Sequence, residues 1–189
     1  WSFATGPALN FNADRVLQIV VYDTSFDLKR RILALPEVSD ASFSRFIPEE
    51  RDIRPAWSVT PSRGRVQFNR ESVDTNFFDM FGVRLLAGRK FSDVYFAETP
   101  PAEVILSRSA TKVLGYQRPA DAVGQMLNYE ADQIKIRSRI IGVVEDMRIN
   151  TVRKPLQPLM FDNQSFSFTR LNVRLKVGGE KTGITAIDH

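Results

Sequence analysis

Residues that could do chemistry are scarce in this chain, and their spacing argues against the common reactive constellations. The one histidine is His189, at the last position, so imidazole acid–base or triad catalysis has no support. Cysteine is absent, which removes thiol nucleophiles, thiolate metal sites and disulfides together. Carboxylates are adjacent at Glu49-Glu50 and Glu145-Asp146. Neighbours on a strand point to opposite faces, so the second pair is poorly arranged to grip one metal ion. A solvated loop and a strand end explain both pairs. Nothing matches the ligand spacing of a calcium loop. Residues 178–182 (GGEKT) echo a phosphate loop, but Glu180 separates glycine from lysine and the first glycine is missing. Gly82 and Gly88 have the wrong separation for a dinucleotide turn, and no Gly-x-Ser-x-Gly elbow occurs. The expectation is a non-enzymatic chain with no catalytic, cofactor-binding or metal residues.

Binding is the better-supported chemistry. Lys+Arg number 26 against 22 Asp+Glu, a formal charge of +4 with a pI near 9.6. The cations gather at 29–31, 135–139 and 148–154. Lys135, Arg137 and Arg139 fall on one face of a strand, a face suited to nucleic acid or lipid headgroups unless acidic neighbours neutralise it. Aromatic interleaving is missing there, so nucleic acid is not expected as a partner. Trp57 either pins its segment to the core or anchors a partner contact, since tryptophan is favoured at binding hot spots.

The elements that would position these residues follow from periodicity. Residues 16–22 (VLQIVVY) read as a buried strand. Thr24 and Asp27 have capping-box spacing before a helix that turns Leu28, Ile32 and Leu35 inward and Lys29, Arg30 and Arg31 to water, ending at Pro36. A second strand spans 38–46. Residues 47–64 carry Pro48, Pro55, Pro61 and Gly64 and read as an exposed connection or flap. A strand at 65–72 leads into a short helix whose Val73, Phe77, Phe78 and Phe81 share one face. Asp74 or Thr75 would cap that helix and Gly82 would close it. An extended piece, 83–86, breaks at 87–89. Residues 103–106 form a buried strand, and Ser107 caps a helix that buries Ala110, Val113 and Leu114 and ends at Gly115. Residues 129–133 read as a polar turn. Ile134, Ile136, Ile140 and Val144 then line one face of a long strand. Pro155 and Pro158 bracket a crossing segment, 166–177 reads as a last strand with Leu171, Val173 and Leu175 on one face, and Gly178-Gly179 hinges into a helix near Thr182.

The wording of residues 71–93 (ESVDTNFFDMFGVRLLAGRKFSD) resembles the signature of the extracytoplasmic core domain of FtsX/MacB-like ABC transporter permeases. There an aromatic pair, here Phe77 and Phe78, precedes a Phe-Gly, here Phe81-Gly82. A Leu-Leu/Ala-Gly-Arg turn follows, here with Gly88 and Arg89. Further stretches match in the same order. Residues 115–127, with Gly124, resemble a Gly-rich corner. Residues 141–148 (IGVVEDMR), with Gly142 and Asp146, are similar to a Val-Val-Gly-Val-Val-x-Asp-x-Arg strand. An Arg-x-Pro-x-x-Pro segment runs to Phe161. The corner at 35–38 is also similar, with Glu37 in place of a family glycine. The resemblance covers about residues 8 to 177, and the opening looks more like a second than a first extracytoplasmic domain of a duplicated permease.

The resemblance implies an α+β fold. A ferredoxin-like, porter-type lobe of β-α-β plus C-terminal strands (about 8–48 and 140–189) would carry an inserted α/β lobe (about 49–139), all in one periplasmic core domain spanning 1–189. It implies a bacterial inner-membrane protein whose other parts supply the membrane-spanning helices, with ATP hydrolysed by a separate cytoplasmic ATPase. A periplasmic adaptor or a second permease domain would be a partner, and no cofactor would bind here. No apolar run approaches the ~20 residues that a membrane helix requires. The chain opens at Trp1 and stops at His189 inside what reads as an element, so a longer protein is expected, with its anchors outside these residues. The alternative is a membrane-anchored sensory or ligand-binding domain.

Overall fold

Alternating apolar positions build two sheets in the computed structural model, which describes residues 2–3, 14–22, 24–45, 55–60, 64–92, 102–147, 157–164, 167–179 and 187. The first sheet has four strands: β1 (Ser2–Phe3), β2 (Val16–Val20), β3 (Val38–Ser44) and β11 (Arg170–Leu175), in the order β1-β2-β11-β3. β11 runs antiparallel between β2 and β3. With helix α1 (Phe26–Leu33) joining β2 to β3, this is the split β-α-β arrangement of a ferredoxin-like lobe. Ile32, Phe43, Leu171, Val173 and Leu175 form its core, and Leu28 and Leu35 pack against it from the helix side. The helix start differs from the Thr24 cap read from sequence. The cap is Ser25, whose Oγ accepts the Leu28 N–H at 3.3 Å.

The second sheet takes the middle of the chain. Its strands are β4 (Pro55–Thr60), β5 (Gly64–Ser72), β6 (Leu85–Gly88), β7 (Ala102–Ser107), β8 (Met126–Ala131), β9 (Ile134–Val144) and β10 (Leu159–Asp162), in the order β6-β9-β7-β10-β5-β4-β8. β8 also pairs with β9, so six strands close into a ring and β6 extends it from the other end of β9. One side of the wall supplies a core of Phe68, Leu106, Tyr129, Ile140, Val143 and Met160. Their neighbours in sequence, Ile105, Ile141, Val144, Leu159 and Phe161, belong to a separate core with α2 (Phe77–Met80). Helices α3 (Arg108–Val113) and α4 (Pro119–Ala122) add Ala110 and Ala122 to the ring's core.

Several expectations change. Residues 55–60 are not part of a loop. They form β4, paired along its length with β5, and Pro55 is tolerated because it opens the strand. The polar turn at 129–133 is only Asp132-Gln133, both at positive φ. Tyr129 to Ala131 belong to β8, and the polar residues there are the outer half of an alternating strand. Along β9 the register against β7 shifts between Ile140 and Gly142, so Ile140 and Val144 face different cores instead of sharing a face. The end of β9 from Ile140 and the whole of β10, assigned from sequence to the first lobe, pair into the second sheet with β7 and β5. The extended piece at 83–86 runs on as β6 through Ala87 and Gly88. The readings on 47–54, 94–101, 148–156, Phe166 and the helix from Thr182 lie outside the described residues.

Candidate functional site

The aromatic cluster of the 71–93 stretch sits where the two sheets meet. α2 is a single turn, yet Phe77, Phe78 and Phe81 are buried, Phe78 edge-on to Phe161 at 5.1 Å and Phe77 tilted on Phe81 at 4.7 Å. Each such ring contributes about 1.5–3 kcal/mol by leaving water. Gly82 closes the turn at φ +66, the left-handed region. Val73 is buried in the same core but lies outside the helix, bridged to Ser44 of β3.

The remaining signature residues have structural reasons too. Gly88 and Gly142 are direct partners across β6 and β9. A Cβ on Gly88 would lie 2.2 Å from the Ile141 carbonyl oxygen, and one on Gly142 2.3 Å from that of Arg89. Only two glycines let these strands approach so closely. Arg89 donates its backbone N–H to Ile141 at 2.9 Å, and its guanidinium pairs with Glu103. The Asp146 carboxylate accepts the Ser109 N–H at 2.7 Å, in the first turn of α3, while Ser107 caps the same helix through Ala110 N–H. Gly124 follows α4 and donates to the Ile140 carbonyl at 2.7 Å. These side chains support the scaffold and do not converge on a pocket.

Asp74 does not cap α2, as read from sequence. It is buried and ties the edge of the first sheet to the second. Its Oδ2 accepts Phe43 N–H at 2.7 Å, its Oδ1 accepts the Ser42 hydroxyl at 2.5 Å, and its own N–H donates to Phe43 O at 3.0 Å. The Lys29 ammonium of α1 reaches Oδ2 at 2.8 Å and also donates to Asn76. Lys29 therefore does not point to water. Burial pushes the Asp74 carboxyl above the usual carboxylate range, opposed by Lys29 and by the Ser42 and Phe43 hydrogen bonds. The junction continues on both sides. Asn76 Nδ2 donates to Asp40 and to Ala41 O, both at 2.9 Å, and Arg174 donates to Met80 O at 2.7 Å. Arg45 N–H donates to Ser72 O, and Val73 N–H to Asp162 O, each at 2.9 Å. Sequence reading could not find this network, because capping and buried pairing use the same residue type.

Trp57 is half-buried in β4, with the Arg65 guanidinium 4.4 Å from its ring centroid. It lines an open groove of about 420 Å³ together with Val59, Tyr129, Glu130, Lys135, Ile136 and Arg137. Lys135, Arg137 and Arg139 are all exposed on β9, as their spacing predicts. Among the described residues no ion pair neutralises them. No group of three or more His, Asp or Glu side chains among the described residues could hold a metal ion.

A ferredoxin-like sheet joined to a larger, ring-closed sheet defines a two-sheet α+β domain. Residues 8–180 match the family model of the MacB-like periplasmic core domain, and the chain belongs to that family, a domain of ABC transporter permeases. The periplasmic region of MacB from Actinobacillus actinomycetemcomitans is similar with a TM-score of 0.61 at 13% identity, over 92% of this chain and 81% of that one. The extracellular domain of the noncanonic ABC-type transporter YknZ from Gram-positive bacteria is similar with a TM-score of 0.58 at 11% identity, over 88% and 78%. A comparison with curated proteins gives no match.

Proposed function

We propose that this extracytoplasmic domain performs no reaction and instead relays motion from the membrane helices of its permease to a protein outside the membrane. A cytoplasmic ATPase partner would drive those helices, ATP would bind there and not here, and the domain would bind no cofactor. A relay must carry displacement across its own seams, so the first requirement is that its two sheets move together. The observation that carries this reading is the junction at Asp74, where a buried carboxylate joins β3, α1 and the aromatic turn through Ser42, Phe43 and Lys29. Packed cores and buried networks pass on strain because they do not deform smoothly.

The reading is tested in the complete permease, reconstituted with its ATPase. Lys29→Met and Asp74→Asn should leave ATP hydrolysis in place and reduce the transport coupled to it. Transport at the unsubstituted rate in both variants, with the junction broken, refutes the relay.

A further inference from the structure

We propose that the Trp57 groove docks an extended, acidic peptide segment of a partner protein outside the membrane. The inference rests on the extracytoplasmic reading and adds the chemistry of the partner. β4 and β8 share a single ladder pair, Trp57↔Glu130, so the closed ring is thinnest there. β5 and β9 continue on the outer flanks with full ladders. The groove lies along this seam, on strands rather than loops, and a volume of about 420 Å³ is that of a ligand site. An extended chain laid along it would cross the outer face of β4, β8 and β9 and be held by their side chains.

The lining selects the sequence of that chain. Trp57, Val59 and Ile136 offer apolar surface, and Val59 is 77% exposed. Arg65, Lys135 and Arg137 stand around it with one acid, Glu130, among them. Val59 lies opposite Arg65, and Trp57 lies opposite Glu130, which in turn lies opposite Lys135, so apolar and cationic side chains of the outer face stand side by side along the groove. A peptide that alternates Asp or Glu with Leu or Phe complements both. A polar or basic peptide complements neither. A membrane surface would also meet the cations, but a flat bilayer does not fill a concave seam.

The chain contains two tryptophans, so a Trp1→Phe background leaves Trp57 as the only indole reporter. The probes are a ten-residue peptide alternating Glu with Leu and Phe, its Lys-for-Glu counterpart, and vesicles of phosphatidylglycerol with phosphatidylcholine. The 189-residue chain should bind the acidic peptide with a change in Trp57 emission, weakening as salt is raised. Arg65→Glu combined with Arg137→Glu should weaken it by about tenfold or more. Thermal unfolding of the same variants separates a lost contact from a lost fold, and Lys135→Glu serves where the double substitution does not fold. Equal binding of the Lys-for-Glu peptide overturns the proposal. So does an unchanged dissociation constant after charge reversal, or binding to vesicles in place of peptide. Each of these results would leave the coupling measured at Asp74 untouched, so the two readings fail separately.

Discussion

Lys29→Met is the sharpest perturbation of the junction. It removes the ammonium 2.8 Å from the Asp74 carboxylate and leaves that group, with 0% side-chain exposure, without its cationic partner in the interior. Deleting one partner of a buried pair costs about 3–5 kcal/mol. Asp74 keeps the Ser42 hydroxyl and the Phe43 N–H, so the lower end, about 3 kcal/mol, applies. For a chain of this size that lowers the unfolding midpoint by about 6–12 °C. The pH dependence carries the mechanism. Burial already raises the Asp74 pKa, and losing Lys29 raises it further, because Lys29 is the largest of the influences that lower it. A carboxyl raised above its unfolded value holds its proton more tightly when folded. Stability then falls as pH rises through the window between the unfolded and folded values. The deficit of Lys29→Met should therefore grow as pH rises above the unfolded carboxyl range and shrink toward pH ~3, below the unfolded value of about 3.9. The double variant Lys29→Met/Asp74→Asn should recover about 1–2 kcal/mol of the loss at pH 7. Urea unfolding of the 189-residue chain from pH 3 to 8 measures all three quantities. A pH-independent deficit, or one under about 1 kcal/mol at pH 7, refutes the reasoning.

Three further outcomes are expected from unfolding measurements. Gly142→Ala forces a Cβ against the Arg89 carbonyl and should cost about 2–3 kcal/mol, and Gly88→Ala should cost more, because its φ of +76 adds backbone strain. Asp146→Ala strips the acceptor from Ser109 N–H and should cost about 1 kcal/mol, much of it recovered by Asn. Arg84→Ala breaks only an exposed pair with Glu145 and should change stability by less than about 0.5 kcal/mol.

Much of the scaffold was legible in the sequence because burial leaves a period behind. The helical spacing of Leu28, Ile32 and Leu35, the alternation of Leu171, Val173 and Leu175, and the Ser107 cap all reappear in the structure. Prolines and polar residues make 55–60 look like loop, yet it is a strand whose outward Pro55, Trp57 and Val59 alternate with buried Ser58 and Thr60, against the usual pattern. At 129–131 the outward Glu130 of β8 is polar by position. The β9 bulge resets the alternation at Ile141, which local periodicity does not register. The junction was hidden because Asp74, Lys29 and Ser42 are far apart in sequence and ordinary in type. Trp57 was visible as an unusual residue, but the cations around it come from β5 and β9, and only the sheet pairing brings them together.

The central claim is that both sheets move as one body when the permease works. The 189 residues hold no cysteine, so in a permease with any other cysteines replaced, paired spin labels can be introduced at two exposed positions. These are Arg31 on α1, which packs on the first sheet, and Asn128 on β8 of the second. Their separation, measured by pulsed electron–electron spectroscopy in the complete permease with its ATPase, should stay the same with and without bound ATP. In Lys29→Met the distribution should broaden. A separation that shifts with ATP in the unsubstituted protein would mean that the sheets rock against each other, and the account would be wrong.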